Sequence, residues 1–259
     1  AFESYLFKDG KPMALTSLNK SDEAPFQYGH LSLKAILAVR DKRLAQTIDT
    51  VLLYNGRGFT RFNTGMESTS STGYGVAKYD NEAIPEGFRS QSGKNYTHAP
   101  LFWLSVIYLN YAEACAELGN ITQDDLDKSI NLLKDRAGLP HLNPIVGFSD
   151  PANNHGVSDL IWEIRRERRC ELMFDNDNRY WDLIRWHQLD KLDTTKYPDI
   201  ILGANVANDM DGCEANKVGK YIDGSKDGSR IYDKKHYLYP IPTGQIALNP
   251  QLAPNNPGW

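Results

Sequence analysis

The sequence has little cysteine, and none of it is paired. Cys115, Cys170 and Cys213 are widely spaced and form no CxxC, so neither a disulfide framework nor a thiolate metal site has support. Cys115 and Cys170 fall within helical patterns and read as small core residues. Long apolar runs are missing as well. The longest, Leu101 to Leu109, contains Ser105 and leads into Asn110, well short of the ~20 residues a membrane helix needs. There is no excess of positive charge: 29 Lys plus Arg stand against 33 Asp plus Glu, giving a net charge of −4. With a pI near 5.9, nucleic acid is not expected as a partner.

The usual catalytic and cofactor signatures are also lacking. His30, His98, His141, His155, His187 and His236 never occur as HxH, HxxxH or HExxH. There is no GxSxG elbow and no GxGxxG or GxxxxGK[ST] loop. Asp175-x-Asp177 begins like a calcium loop, but Arg179 stands at the third ligand position and the loop glycine is absent, so an ordinary turn is expected. No cofactor or metal is expected.

What is present is a chain of 259 residues, 41% hydrophobic and 24% charged, the composition of a globular protein with a sizeable core. Its most skewed feature is aromatic. Tyr, at 14, outnumbers Phe, at 9, and Trp adds 5. Tyr and Trp pair an apolar face with a polar handle and suit surfaces that bind polar rings.

Residues 1–97 read as an irregular, loop-rich region, with Gly and Ser clustered at Gly56-Arg57-Gly58 and from Gly65 to Gly75. One short helix is expected from Ser32 to Ala38, and Thr47 to Tyr54 reads as either a strand or a short helix. Residues 98–192 are different. Leu104, Ile107, Tyr108, Tyr111, Cys115 and Leu118 fall on one face of a helix, which is expected to be its core face. Gly119-Asn120 ends that helix, Thr122 caps the next, and Gly138-Leu139-Pro140 closes it. Ser158 starts a third helix that runs to Phe174, and a fourth runs from Tyr180 to near Leu192. Short links make these two antiparallel hairpins of the tetratricopeptide kind. Residues 193–259 return to loops, ending in a Pro- and Asn-rich tail expected to be extended and docked on the helices. The fold class is therefore mainly α: tetratricopeptide-like helical pairs packed against an irregular region with little strand.

Glu167 and Glu171 lie four apart on one helical face, the arrangement a glycosidase could use. Arginines flank both, and arginine lowers a carboxylate pKa, the wrong direction for a general acid. An ion-pair network between helices is the expected role, and no enzyme activity is expected.

Several segments together resemble one family. They are Tyr111-Ala112-Glu113-Ala114, Asp135-Arg136-Ala137-Gly138-Leu139-Pro140, Glu167-Arg168-Arg169-Cys170-Glu171-Leu172 and Arg179-Tyr180-Trp181-Asp182-Leu183-Ile184-Arg185-Trp186. The closing Tyr237-Leu238-Tyr239-Pro240-Ile241-Pro242 and Asn249-Pro250-x-Leu252 through Asn256-Pro257-Gly258 add to them, and Val39-Arg40-Asp41-Lys42-Arg43-Leu44 sits ahead, with Lys42 where proline is usual. In that order they resemble the C-terminal half of SusD/RagB proteins. The resemblance implies a non-catalytic, lipid-anchored outer-membrane protein of Bacteroidetes that binds an oligosaccharide or peptide and passes it to a TonB-dependent transporter. It also implies a protein about twice this length, touching the membrane only through a lipid anchor outside this chain. The alternative is a helical-repeat protein–protein interaction module, or a peptide-binding importer component, without a sugar site. The family's motifs are scaffold, so ligand residues follow from chemistry instead. The expected glycan-binding set is Tyr5, Phe26, Tyr28, Arg57, Phe59 and Tyr74, from the loop-rich region, with Phe7, Gln27 and Asn55 nearby. Trp103, Trp162, Trp181 and Trp186 are expected to serve helix packing.

Overall fold

The structure is a computed structural model that describes residues 2–18, 33–52, 70–79, 81, 83–89, 91–94, 96–98, 100–175, 178–207, 217–225 and 228–259. The architecture is mainly α-helical, with two small sheets among the described residues. Helices α1 (Leu33–Val39) and α2 (Lys42–Thr47) lead into strand β1 (Ile48–Leu52), which pairs antiparallel with β2 (Tyr74–Val76). A single-turn helix α3 (Glu86–Arg89) precedes the main helical block. The segment that reads as strand or helix from Thr47 is thus a strand beginning at Ile48, launched directly from the end of α2.

The helical block consists of α4 (Leu104–Glu117), α5 (Gln123–Asp127), α6 (Ile130–Ala137), α7 (Asp159–Glu171) and α8 (Asn178–Arg185). Its boundaries follow local chemistry. Thr122 and Asp125 form a capping box at the start of α5, and Ser158 accepts a hydrogen bond from the Ile161 amide at the start of α7. Gly138 closes α6 at φ 69°, a left-handed conformation that suits glycine. The expected second helix is broken into α5 and α6. The Ser129 hydroxyl donates to the Asp125 carbonyl at 2.5 Å, and that side-chain bond competes with the continuing helix. The main core lies between these helices: Leu109, Ala112, Leu126, Ile130, Leu133, Leu142, Ile164 and Leu172.

Helix α4 forms where the sequence predicts, but it is rotated. Its buried residues are Leu109, Ala112 and Glu113, with Val106, Tyr108 and Ala116 partly buried. Four residues of the expected core face are exposed instead: Leu104 (63%), Ile107 (60%), Tyr111 and Leu118. The reason is that Ala112 and Glu113 are turned into the packed interior. Alanine allows a close approach. Glu113 collects Arg185 at 2.5 Å, the Trp186 indole N–H at 2.7 Å and, more distantly, Arg165 at 3.9 Å. Turning Glu113 outward would strand Arg185 and the Trp186 indole without their acceptor, a costly change.

Ahead of the helical block, Arg40 is fully buried. It donates to the carbonyls of Phe2 at 3.1 Å and Tyr5 at 2.7 Å, and lies against the rings of Phe7 and Phe2. Its neighbours Tyr5, Leu37, Leu44, Ile48 and Cys170 form a second core that ties the N-terminal segment to α7.

After α8 the chain forms strands β3 (Leu202–Asn205), β4 (Lys217–Val218) and β5 (Tyr221–Asp223), ordered β3-β5-β4 in one antiparallel sheet. The last helix, α9 (Thr243–Leu248), lies within a tail that closes on itself. The Asn255 side chain bonds the Ile241 amide at 2.7 Å and carbonyl at 3.1 Å, and Asn256 donates to the Tyr239 carbonyl at 2.5 Å. The tail meets the helices through Tyr239 on Tyr180 at 3.1 Å and through the Leu189 amide on the Tyr237 hydroxyl at 3.0 Å.

Candidate functional site

A cleft of about 460 Å³ opens between α2, the end of β2 and the C-terminal turn of α7. Its base is an ion-pair network. Arg43, on α2, pairs with Asp41 at 2.6 Å, with Glu171 at 2.9 Å and with Glu167. Arg136, on α6, pairs with Glu171 at 2.5 Å. Lys134 reaches Glu167 at 3.7 Å. Burial alone would raise the Glu167 carboxyl, but Arg43 and Lys134 overcome it and hold the group below the usual carboxylate range. The same burial pushes the Cys170 thiol up to about 12, so it is an inert core thiol.

The walls carry the chemistry of a polar-ligand site. Lys78 follows β2 and donates to the carbonyls of Glu171 at 3.0 Å and Met173 at 2.8 Å, and to Asp175 at 2.7 Å. The Tyr79 hydroxyl donates to the Phe174 carbonyl at 2.9 Å and to Asp175, and burial followed by that carboxylate pushes it up to about 12. These bonds fix the Tyr79 ring at the cleft edge with 44% of its surface exposed. Trp103, the N-cap of α4, also lines the cleft, with the Lys78 ammonium 5.8 Å from its ring centre. Gln46, Asn81, His98 and Arg136 also line the cleft and supply donors and acceptors. Two aromatic rings with amide, imidazole and guanidinium groups in the same cleft can hold a polar ring by stacking and by hydrogen bonds to its hydroxyls.

The glycosidase arrangement fails on this geometry. Glu167 is buried and spends its oxygens on Arg43 and Lys134, while Glu171 is shared between Arg43 and Arg136. Neither is presented as a free acid or nucleophile. Among the described residues, no three His, Cys, Asp or Glu side chains converge as metal ligands. Also among them, no helix is long and apolar enough to cross a membrane.

The expected ligand set is placed only in part. Tyr5 is a core residue, 1% exposed, with its hydroxyl on the Cys170 carbonyl at 3.0 Å and on Thr47 at 3.2 Å. It presents no ring face to a ligand, because the second core closes around it. Its neighbour Phe7 is fully buried against Arg40. Tyr74 is half-buried and stacks on Phe2 at 5.1 Å, away from the cleft. Phe26, Tyr28, Arg57 and Phe59, with Gln27 and Asn55, lie outside the described residues.

The tryptophans divide differently from the expectation. Trp162 donates to Asp150 at 3.0 Å and Trp186 to Glu113 at 2.7 Å, which is helix packing. Trp181 is 56% exposed, and Trp103 faces the cleft. Sequence reasoning missed Tyr79 and Trp103. The signal was Lys78-Tyr79-Asp80-Asn81, an aromatic among polar residues in the region already expected to carry the ligand face.

The described residues thus form packed helices with a polar, aromatic-lined cleft beside them. The chain belongs to the SusD family, whose model matches residues 1–259. Two solved structures share the fold. One is a SusD-like carbohydrate binding protein from Bacteroides fragilis, 24% identical, covering 97% of this chain and 47% of that chain with a TM-score of 0.60. The other is selenomethionine BT4246, 24% identical, covering 100% of this chain and 45% of that chain with a TM-score of 0.62. This chain therefore spans about half the length of the solved structures it matches. No curated protein matches it.

Proposed function

We propose that the chain is part of a non-catalytic oligosaccharide-binding protein of the cell surface that delivers its ligand to a TonB-dependent outer-membrane transporter. The observation that carries the reading is the cleft. Tyr79 and Trp103 line it together with polar side chains, and its described lining carboxylates, Glu171 and Asp175, are already paired to cations. Family membership and the carbohydrate-binding relative from Bacteroides fragilis support a glycan as the ligand. Phe26, Tyr28, Arg57 and Phe59 are proposed as further ligand contacts, from the aromatic-and-polar character of their loops.

The exposed face of α4 supports a protein partner in addition. Leu104, Ile107, Tyr111 and Leu118 form an apolar stripe on one side of the helix, beside Phe102, which is 94% exposed. Stripes of this kind mark interaction surfaces. The same stripe is what a pure protein-interaction module would show, so the two readings are separated by ligand binding. Titration calorimetry of the chain against a broad oligosaccharide panel and a peptide panel tests the proposal. Saturable binding of at least one oligosaccharide is expected. Binding of peptides alone, or of nothing, overturns the sugar site.

A further inference from the structure

A second pocket, of about 520 Å³, lies between the C-terminal half of α7 and α8. Its distinguishing feature is two arginines with no direct ion pair among the described residues. Most arginines of these two helices are tied down. Arg166 pairs with Glu163 at 3.1 Å and with Asp150. Arg168 pairs with Asp182 at 2.8 Å and donates to Asn110 at 2.8 Å. Arg165 pairs with Glu117 at 3.2 Å, and Arg185 with Glu113 at 2.5 Å and Asp182 at 2.9 Å. Arg169 and Arg179 both line the pocket, and neither has a hydrogen-bonding or ion-pair partner among the described residues. Arg179 lies 5.8 Å from the ring centre of Trp186, and the charge of Asp182 acts on it only through space.

The carboxylates at the pocket cannot serve them. Asp182 is held by Arg168 and Arg185, and Asp175 by Lys78 at 2.7 Å and Tyr79. Asp199, on the surface turn Pro198–Ile201, acts on Arg169 only through space. Arg169 and Arg179 lie in segments that resemble the family's scaffold motifs, but an arginine serving the scaffold alone would be expected to look like Arg166 or Arg168, with its charge met by a buried carboxylate. Two partly buried guanidiniums without a direct ion pair make the described part of this pocket net positive.

A neighbouring group reports the same field. Burial first, and then the charges of Arg179, Lys191, Arg165 and Arg169, push His155 down to about 4. Burial and the nearby Arg169 likewise push Arg179 down to about 9, still charged at neutral pH. The pocket is also shaped for an organic anion and not only a bare ion. Buried Leu172 and Leu183 line it, and Tyr180 offers a ring beside Arg179. Its volume lies within the ~300–1,000 Å³ usual for small-ligand sites. The planar guanidinium fork matches the oxygens of a carboxylate or a sulfate group.

We propose that the pocket between α7 and α8 binds the carboxylate or sulfate group of an acidic oligosaccharide through Arg169 and Arg179. The proposal rests on the glycan reading above and narrows its substrate class. Titration of the whole chain with chondroitin sulfate tetrasaccharide, maltotetraose and tetraglutamate at one fixed ionic strength tests it. The acidic tetrasaccharide should bind more tightly than either of the others. Arg169→Gln and Arg179→Gln should each weaken it by about tenfold, the loss expected for one charge-assisted hydrogen-bonded contact. Any maltotetraose affinity should be unchanged in both variants, and Arg179→Lys, which keeps charge but loses the fork, should fall between.

Equal affinity of wild type and both variants for the acidic tetrasaccharide overturns the assignment. Tighter binding of tetraglutamate overturns it too. If no oligosaccharide of any kind binds, the glycan reading fails, and inorganic sulfate reads the pocket by itself. Sulfate should then raise the melting temperature of the wild type above that in a chloride control of equal ionic strength, and not that of the double Gln variant. A sulfate effect identical in both removes the anion site.

Discussion

Replacing Glu167 with glutamine removes one charge from the centre of the molecule while keeping its shape. The carboxylate is 2% exposed and faces Arg43 and Lys134. Arg43 keeps Asp41 and Glu171 in the variant, but Lys134, 3% exposed, loses the carboxylate it reaches at 3.7 Å. Removing the one paired carboxylate of a buried ammonium, with Glu163 left to act on it only through space, costs up to about 3–5 kcal/mol. For a chain of this size that is a fall in melting temperature of roughly 10 °C. The pH dependence has a definite sign. The folded pKa of Glu167 lies below its ordinary value of 4.5, so its stabilisation is fully present above that value and is lost as pH falls through the folded pKa. The gap between wild type and Glu167→Gln should therefore be full at pH 7 and shrink as pH falls below about 4.5. Adding Lys134→Met should recover part of the loss by removing the stranded charge. Thermal melts of the single and double variants across pH measure all of this. A gap near zero at neutral pH, or one that widens on acidification, would refute the network as drawn.

Three further outcomes follow from the packing. Tyr5→Phe should cost about 1–3 kcal/mol in urea unfolding, because the buried Cys170 carbonyl loses its donor, and should leave ligand affinity unchanged. Thr122→Ala should cost about 1 kcal/mol by the same assay, through loss of the capping box at α5. Ile107→Lys should leave the melting temperature within a degree or two, since that face of α4 is exposed, and should abolish capture of any protein partner seated there. Unfolding of the chain by that single change would show the face to be core.

The helices of residues 98–192 were legible because caps and period agree. Thr122, Gly138 and Ser158 mark their boundaries as read, and the arginine-rich stretch on α7 forms the expected network. The orientation of α4 was not legible. Hydropathy favours Leu104 and Ile107 as core, whereas burial follows Glu113, whose partners Arg185 and Trp186 come from a helix more than sixty residues away. Pairing at that separation leaves no periodic trace. Tyr5 misled for a similar reason. Its sequence neighbours look like a loop, but Arg40 and Thr47 converge on that segment from elsewhere and bury it. The cleft is likewise assembled from α2, β2 and α7, so Tyr79 and Trp103 meet only in the fold.

The central claim is that the cleft edged by Tyr79 and Trp103 holds a sugar ring. Its most direct test is titration of wild type and Trp103→Ala side by side with whichever oligosaccharide the panel identifies. Stacking on one aromatic face contributes about 0.5–1.5 kcal/mol, so affinity should fall about three- to tenfold while the melting temperature stays close to that of the wild type. Unchanged affinity in Trp103→Ala would contradict the account and move the ligand to another surface.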